Sequence, residues 1–211
     1  MAATRTASAK AESVKLSKED WTDTALATLI SQGIDAVQIT QLAKTLGVSR
    51  GSFYWHFEGR QALLESMIEA WRSANGHSVR DVLQDVDSLS EGVLEFFTLW
   101  IEGTRFSPEL EQVVRDWARL DQSVLKAVRK EDAERIKHIG EHYVRFGFAA
   151  DEASVRARIL YFAQIGYYAM HMRESMQDRN ELLELYYISF TGLAIEPEVA
   201  VRYKARFEAY S

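Results

Sequence analysis

The chain has 211 residues, of which 47% are hydrophobic and 27% are charged, and this balance excludes a disordered polypeptide. It contains no cysteine, which excludes disulfides, thiolate metal ligands and cysteine nucleophiles. Its 2 prolines and 11 glycines are too few for many short strands joined by turns, so the composition favours helices.

The net charge of −6 is distributed unevenly. Residues 1–60 contain 7 Lys/Arg and 6 Asp/Glu, whereas residues 61–211 contain 18 Lys/Arg and 25 Asp/Glu. Residues 36–57 contain no carboxylate, although Lys44 and Arg50 lie among them and Arg60 follows. A carboxylate-free stretch in an acidic chain indicates a local contact with a polyanion.

The beginning of the chain has no apolar run of the kind found in secretion signals, and we predict a disordered tail over residues 1–14. The apolar stretch 159–172 is too short to span a bilayer. We therefore expect a cytoplasmic protein with no membrane partner.

The first predicted helix begins with Ser17 and Asp20, whose spacing is that of a capping box, and it ends at Gly33. A second helix is predicted over residues 39–46 and ends at Gly47. A third is predicted from Ser49, as its N-cap, to about residue 57. These three helices predict a small N-terminal domain over residues 15–60.

Apolar residues continue at helical spacing through residues 61–211, with no convincing alternation of the kind seen in strands. Residues 77–89 form a polar connector of ambiguous structure. The further predicted helices cover residues 61–74, 90–103, 108–117, 121–146, 151–176 and 182–190, with a short one after residue 197. The chain is thus predicted to be all-α, with a larger helical domain after residue 60.

The second and third helices are joined by Gly47-Val48-Ser49, the short glycine-containing turn of a helix-turn-helix unit. Phe53 and Phe57 are spaced to face inward, which leaves polar and aromatic residues on the outside. Arginine and serine side chains can read base edges, and other polar side chains can reach phosphates. The predicted DNA-binding residues are Thr40, Ser49, Arg50, Gly51, Ser52, Tyr54, Trp55, His56 and Arg60.

Residues 17–64 resemble the TetR family of bacterial transcriptional repressors. The resemblance lies in Leu42-Ala43, Gly47-Val48-Ser49, residues 51–57 (GSFYWHF), Arg60 and Leu63-Leu64, in the order and spacing of that family. One departure is Gln38, where the family usually has a threonine helix cap.

The resemblance implies a homodimer that places two recognition helices in successive major grooves of an operator. It also implies that residues 61–211 form a ligand-binding and dimerisation domain, in which helices near 151–176 and 178–192 build a four-helix bundle between the two chains. A small, largely apolar effector bound there would shift the dimer away from the spacing that fits DNA. No cofactor is expected.

The aromatic residues of the larger domain suggest where an effector would bind. We expect an apolar cavity, with Gln164, Arg158 and His171 as candidate polar contacts. The predicted lining residues are Phe97, Trp100, Trp117, Tyr143, Phe162 and Ile165.

Two other functions are compatible with the sequence. A DNA-binding or architectural protein on the same scaffold would need no ligand. His138, Glu141 and His142 match the H-x-x-E-H pattern of one zinc peptidase class, which would make the chain a metal-dependent hydrolase. A catalytic zinc needs a third protein ligand and a water-activating pocket, for which the sequence offers no motif, so we predict no enzyme and no metal.

Overall fold

The computed structural model of the chain describes residues 16–172 and 174–210, so the predicted tail over 1–14 lies outside the described residues. Within them the fold is all-α, with no strand. The helices are α1 (Lys18–Gln32), α2 (Ile39–Thr45), α3 (Arg50–Phe53), α4 (Arg60–Asn75), α5 (Ser78–Gln84), α6 (Leu89–Glu102), α7 (Pro108–Ala118), α8 (Gln122–Arg145), α9 (Ala150–Ala169), α10 (Met176–Thr191) and α11 (Pro197–Glu208).

Local capping explains where several helices begin. In the capping box of α1, the Ser17 amide donates to Asp20 Oδ2 at 2.6 Å and the Asp20 amide donates to Ser17 Oγ at 3.1 Å, as predicted. Ser107 caps α7 by accepting from the Leu110 amide at 3.2 Å, and proline occupies the first turn.

Three features of the larger domain differ from the prediction. The polar connector contains α5, because Val79 and Val82 can turn into the core while Arg80, Asp81 and Gln84 face outward. Helix α9 ends at Ala169 rather than near residue 176. Helix α10 then begins earlier than predicted, because Ser175 rather than Asp178 is its N-cap and accepts from the Asp178 amide at 3.0 Å.

The N-terminal core packs Trp21 of α1 against residues 50–57, which we name the recognition segment. Trp21 meets Phe53 edge-on at 5.2 Å between ring centroids, and Phe57 stacks on Phe53 at the same distance. Trp117 of α7 and Val124 of α8 belong to the same hydrophobic cluster. The first helices are therefore not an isolated bundle but rest on α7 and the first turns of α8. The predicted domain boundary after residue 60 falls at the start of α4 and stays a prediction.

The core of the larger domain is a second cluster, built mainly from α5, α6, α8 and α9. Trp100, Phe106 and Tyr168 pack together there, with centroid distances of 4.3 Å and 5.1 Å from the tryptophan. A third, smaller cluster joins α10 and α11 to α6 through Leu94, Leu183 and Phe207. These contacts hold α9 and α10 along one side of the molecule.

Between the first two cores lie buried and half-buried side chains that are joined by hydrogen bonds and ion pairs. We name them the junction network: Trp71, Asn75, Glu111, Arg115, Asp132, Arg135 and Tyr161. They come from α4, α7, α8 and α9.

Glu111 is the centre of this network. Its carboxylate accepts from Trp71 Nε1 at 2.9 Å, from Asn75 Nδ2 at 3.1 Å and from Arg135 Nη1 at 2.7 Å. Burial alone would raise the pKa of Glu111, but the positive charges of Arg135 and Arg115, with these hydrogen bonds, lower it to about 2. Glu111 is therefore an ionised carboxylate in the interior.

The arginines connect Glu111 to α9. Arg115 donates to Glu111 Oε1 at 2.7 Å and to the Tyr161 hydroxyl at 2.9 Å, and Arg135 donates to the same hydroxyl at 3.1 Å. Tyr161 in turn donates to Asp132 at 2.7 Å. The network thus joins α4, which follows the recognition segment, to α9.

Candidate nucleic-acid interface and ligand pocket

The turn between α2 and α3 has the geometry that the sequence predicts. Gly47 has φ +69°, in the left-handed region that favours glycine, and the Val48 amide then donates to the Ala43 carbonyl at 3.0 Å. Leu42 and Ala43 are buried, so α2 is held against the core while its other side faces outward.

Helix α3 is shorter than predicted. It covers one turn, and the next hydrogen bonds run from the Trp55 amide to the Ser52 carbonyl and from the His56 amide to the Phe53 carbonyl, at 3.3 Å and 2.9 Å. The chain tightens here because it must turn before Gly59, whose extended backbone leads into α4. The predicted helix to residue 57 is therefore wrong beyond Phe53, although Phe57 still reaches the core.

Ser49 occupies the N-cap position of α3, but its side chain forms no capping hydrogen bond, contrary to our expectation. The Ser52 amide instead donates to the Ser49 carbonyl at 3.0 Å. The Ser49 hydroxyl is therefore not committed to the cap and lies on the exposed side of the turn.

Most of the predicted DNA-binding side chains lie on one exposed surface. Trp55 is 88% exposed and Tyr54 is 54% exposed, which excludes Trp55 as a core residue. Ser52 and His56 are half-buried. The exposed remainder of the predicted set is Thr40, Ser49, Arg50, Gly51 and Arg60. Trp55 and Tyr54 thus place two neighbouring aromatic side chains on this surface, where they are available for contact with a partner.

Arg60 has a structural role that the sequence did not predict. Its Nε donates to the Val37 carbonyl at 3.0 Å and its Nη2 to the Ile34 carbonyl at 3.4 Å. The guanidinium therefore ties the start of α4 to the loop before α2. A contact between Arg60 and a phosphate stays a prediction.

A large apolar pocket lies elsewhere than predicted. It opens between α6, α9, α10 and α11 and encloses about 710 Å³ of empty space, its open mouth included. Its lining consists of Leu94, Phe97, Ile101, Ala163, Gln164, Tyr167, Glu174, Arg179, Leu183, Tyr186, Tyr187, Phe190 and Phe207.

Of the six residues predicted to line a cavity, only Phe97 lines this pocket. Trp117 packs in the N-terminal core, and Trp100, Tyr143 and Ile165 pack in the core of the larger domain. Phe162 points away from the interior and is 57% exposed. These five side chains therefore lie away from this pocket, because helical spacing does not reveal which of several neighbouring helices a side chain will face.

Of the three candidate polar contacts, Gln164 lines the pocket, whereas Arg158 and His171 are exposed and do not. The missed aromatic residues come mainly from α10. Tyr186 and Phe190 are one helical turn apart with nearly parallel rings, 12° between their planes, so their spacing was a usable signal.

Comparison with known proteins agrees with the N-terminal geometry. Residues 22–67 match the model of the family described as "Bacterial regulatory proteins, tetR family". The tetracycline repressor protein class C of Escherichia coli is 38% identical over 61 residues, which are 29% of this chain and 28% of that protein. The regulator SrpR of Pseudomonas putida is 37% identical over 46 residues, 22% of each chain. The chain thus matches only about a quarter of the length of these relatives.

The similarity of fold extends over nearly the whole chain. The crystal structure of reduced NemR from E. coli superimposes with a TM-score of 0.58 and 18% identity, covering 92% of this chain and 96% of that one. Residues 22–67 are thus similar to regulators of the tetR family, and the chain shares the fold of NemR. No role of a NemR residue is transferred to the larger domain, because only 18% of the residues are identical.

The three polar side chains of the H-x-x-E-H segment do not converge on one point. His138 Nδ1 lies 3.1 Å from Glu141, whereas the buried ring of His142 contacts the Leu89 carbonyl through Nε2 at 3.3 Å and Arg145 through Nδ1 at 3.3 Å. Among residues 16–172 and 174–210, no group of three or more His, Asp or Glu is arranged to hold a metal ion.

Burial lowers the pKa of His142 to about 4, and the positive charge of Arg145 acts in the same direction, while the bond to the Leu89 carbonyl opposes it. His142 is therefore a neutral histidine of the core. The helices of the same two stretches include none with the length and apolar character of a membrane span.

Proposed function

We propose that the protein is a dimeric transcriptional regulator that binds a specific double-stranded DNA sequence and is released from it by a small, largely apolar molecule. The observation that carries the proposal is the exposed surface of α2 and α3, held in place by the aromatic core beneath it. Trp55 and Arg50 are exposed on that surface, and neither side chain forms a hydrogen bond or ion pair with residues 16–172 or 174–210.

Different side chains of this surface suit different parts of DNA. Arg50, the first residue of α3, can form two hydrogen bonds with a guanine edge in the major groove. Tyr54, His56 and Thr40 lie around it and can contact phosphates, which fix the position of the protein but not its sequence preference. Because α3 is a single turn, its dipole contributes little, and recognition depends on side chains.

The second element of the proposal is the homodimer. Val155, Ile159 and Phe162 form an exposed apolar stripe on α9, with 53%, 52% and 57% exposure. Leu182, Leu185 and Ile188 expose a second stripe on α10. Two adjacent helices with outward apolar stripes can pair with the same surface of a second copy around a two-fold axis. Such pairing would give the four-helix bundle that the family resemblance implies.

The pocket supports the third element, release by an effector. It adjoins α9 and α10, the same helices that carry the apolar stripes, so a bound molecule can change how the two chains are held relative to each other. A ligand acts in this way only if it binds one arrangement of the dimer better than the other.

Footprinting on the DNA upstream of the protein's own gene tests the proposal, with random DNA of equal length as competitor. We expect two protected half-sites about 34–36 Å apart, as a dimer requires. Arg50→Ala should lose about 1–3 kcal/mol of discrimination at one or two base pairs. Arg119→Ala, which removes an exposed arginine at the end of α7, is the control and should bind as the wild type does.

The other outcomes of this experiment separate the alternatives. Equal protection of specific and random DNA, unaffected by any added compound, would indicate the architectural protein. A single half-site would contradict the dimer. No protection of any DNA would contradict the regulator itself.

A further inference from the structure

The walls of the pocket are built mainly from aromatic rings. Phe190 lies near Phe97, with 5.6 Å between ring centroids, and nearly parallel to Tyr186, at 6.4 Å. Tyr187 and Phe207 complete the wall toward α11. Flat rings that already stack on each other offer a complementary surface to another flat ring, which gains both apolar burial and a favourable ring geometry.

One polar side chain reaches this wall from α9. Gln164 is only 7% exposed, yet it lines the pocket. Among the described residues its carboxamide has no hydrogen-bond partner. The carboxamide therefore offers both a donor and an acceptor to a molecule in the pocket.

The two charged residues at the pocket neutralise each other. Arg179 Nε lies 3.9 Å from Glu174 Oε2, and the guanidinium is placed over the ring of Tyr167 at 4.4 Å from its centroid. The Tyr167 hydroxyl accepts from the Glu174 amide at 3.1 Å, which fixes the chain beside the pair. A charged ligand would have to separate this pair and bury its own charge among aromatic rings. Burying an unpaired charge is unfavourable in free energy, so the ligand's other contacts would have to outweigh it.

We propose that the effector is a neutral, planar aromatic molecule that carries a carbonyl or amide group, which forms hydrogen bonds with the carboxamide of Gln164. This inference rests on the proposed function, in which the pocket is the effector site, and it specifies the chemical class of that effector. The rings select a flat apolar body, Gln164 selects the polar group, and the Glu174–Arg179 pair disfavours net charge of either sign.

Three probes of nearly equal shape test the proposal: 2-naphthamide is neutral, 2-naphthoate is an anion and 2-naphthylmethylammonium is a cation. Calorimetric titration of each into the full chain measures its affinity. We expect 2-naphthamide to bind one molecule per chain, and both charged probes to bind at least about tenfold more weakly, as expected when a charge must be buried at the expense of an existing pair.

Gln164→Met keeps the length of the side chain but removes its hydrogen bonds, and should weaken 2-naphthamide binding by about tenfold. Gln122→Met makes the same exchange at an exposed position at the start of α8 and should change nothing. Should Gln164→Met fail to fold, Gln164→Asn, which withdraws the amide from the guest, provides the same comparison.

Tighter binding of either charged probe would overturn the assignment of a neutral effector. Unchanged 2-naphthamide affinity in Gln164→Met would overturn the role of the carboxamide, and no binding of 2-naphthamide to the wild type would overturn the proposal as a whole. The DNA footprint without any probe is measured in parallel. A normal footprint together with a failed titration contradicts only the effector class, whereas a missing footprint contradicts the regulator.

Discussion

The contacts within the N-terminal core and within the core of the larger domain differ in kind from the contacts that join these two cores. Within each core, apolar and aromatic side chains pack against each other. Between them, at the junction network, Arg135 places its guanidinium over Trp71 of one core and Phe106 of the other, 5.7 Å and 5.5 Å from the ring centroids. The two halves therefore meet through a buried cation and its carboxylate partners.

The apolar cores and the polar junction restrict the relative motion of the two halves to different degrees. Apolar contacts tolerate small shifts, because they have no preferred direction. Buried ion pairs and hydrogen bonds do not, because a carboxylate that loses its partners in the interior is strongly disfavoured. The junction network therefore restricts α4, and with it the end of the recognition segment, to few positions relative to α9.

The largest effect is expected from Arg135→Met, which fills similar space but leaves the buried Glu111 with only part of its positive partners. We expect the free energy of unfolding to fall by about 3–5 kcal/mol, measured by urea denaturation. Arg129→Met, at an exposed position of the same helix, is the matched control. A loss below about 1 kcal/mol, the value typical of exposed ion pairs, would show that the junction is not held by this charge.

An intermediate effect is expected from acid, in the core of the larger domain. His142 titrates near pH 6.5 when unfolded but at about 4 when folded, so the unfolded chain binds the proton more readily between these values. Stability from this residue is therefore complete above pH 6.5 and is lost as the pH falls to about 4, by up to about 3 kcal/mol. Glu111 loses its own contribution only at lower pH, between 4.5 and about 2.

Urea denaturation at a series of pH values and constant protein concentration measures this loss. His142→Gln should remove the step between pH 6.5 and 4, because it replaces the buried ring with a group that does not titrate. His138→Gln alters the neighbouring, more exposed histidine and should leave the step in place. A step that survives in His142→Gln would assign the acid sensitivity to other residues.

The smallest effect is expected in the N-terminal half, from Arg60→Ala. The loss of two hydrogen bonds to backbone carbonyls should lower the free energy of unfolding by about 1 kcal/mol. Hydrogen exchange should increase in the loop of residues 34–38, with Gln61→Ala as the control. If stability and exchange are unchanged while the salt dependence of DNA binding becomes shallower, Arg60 is a phosphate ligand and not a positioning residue.

The N-terminal half was the more predictable of the two. The capping box of Ser17 and Asp20, the turn at Gly47 and the inward pair Phe53 and Phe57 all depend on residues close together in the sequence, and all are confirmed. The same local reasoning failed at the end of α3, because the position of α4 determines where that helix must stop.

The larger domain was predictable as a set of helices but not as a packed structure. Trp117 and Tyr143 have the apolar character expected of pocket residues, yet each is buried in a different core. Phe162 has the same character and lies on the outside. Burial depends on which helices become neighbours, and the spacing of residues within one helix does not contain that information.

The sequence alone determines the helical class, most helix boundaries and the recognition segment, because caps, turns and helical periodicity act over a few residues. Only the tertiary structure decides that Arg135, Glu111 and Tyr161 meet in the interior and that aromatic residues of α10 enclose a pocket. The hydrogen bonds of Arg135 join residues 24 and 26 positions apart, and the pocket is built from different helices, so these contacts exist only once the chain has packed.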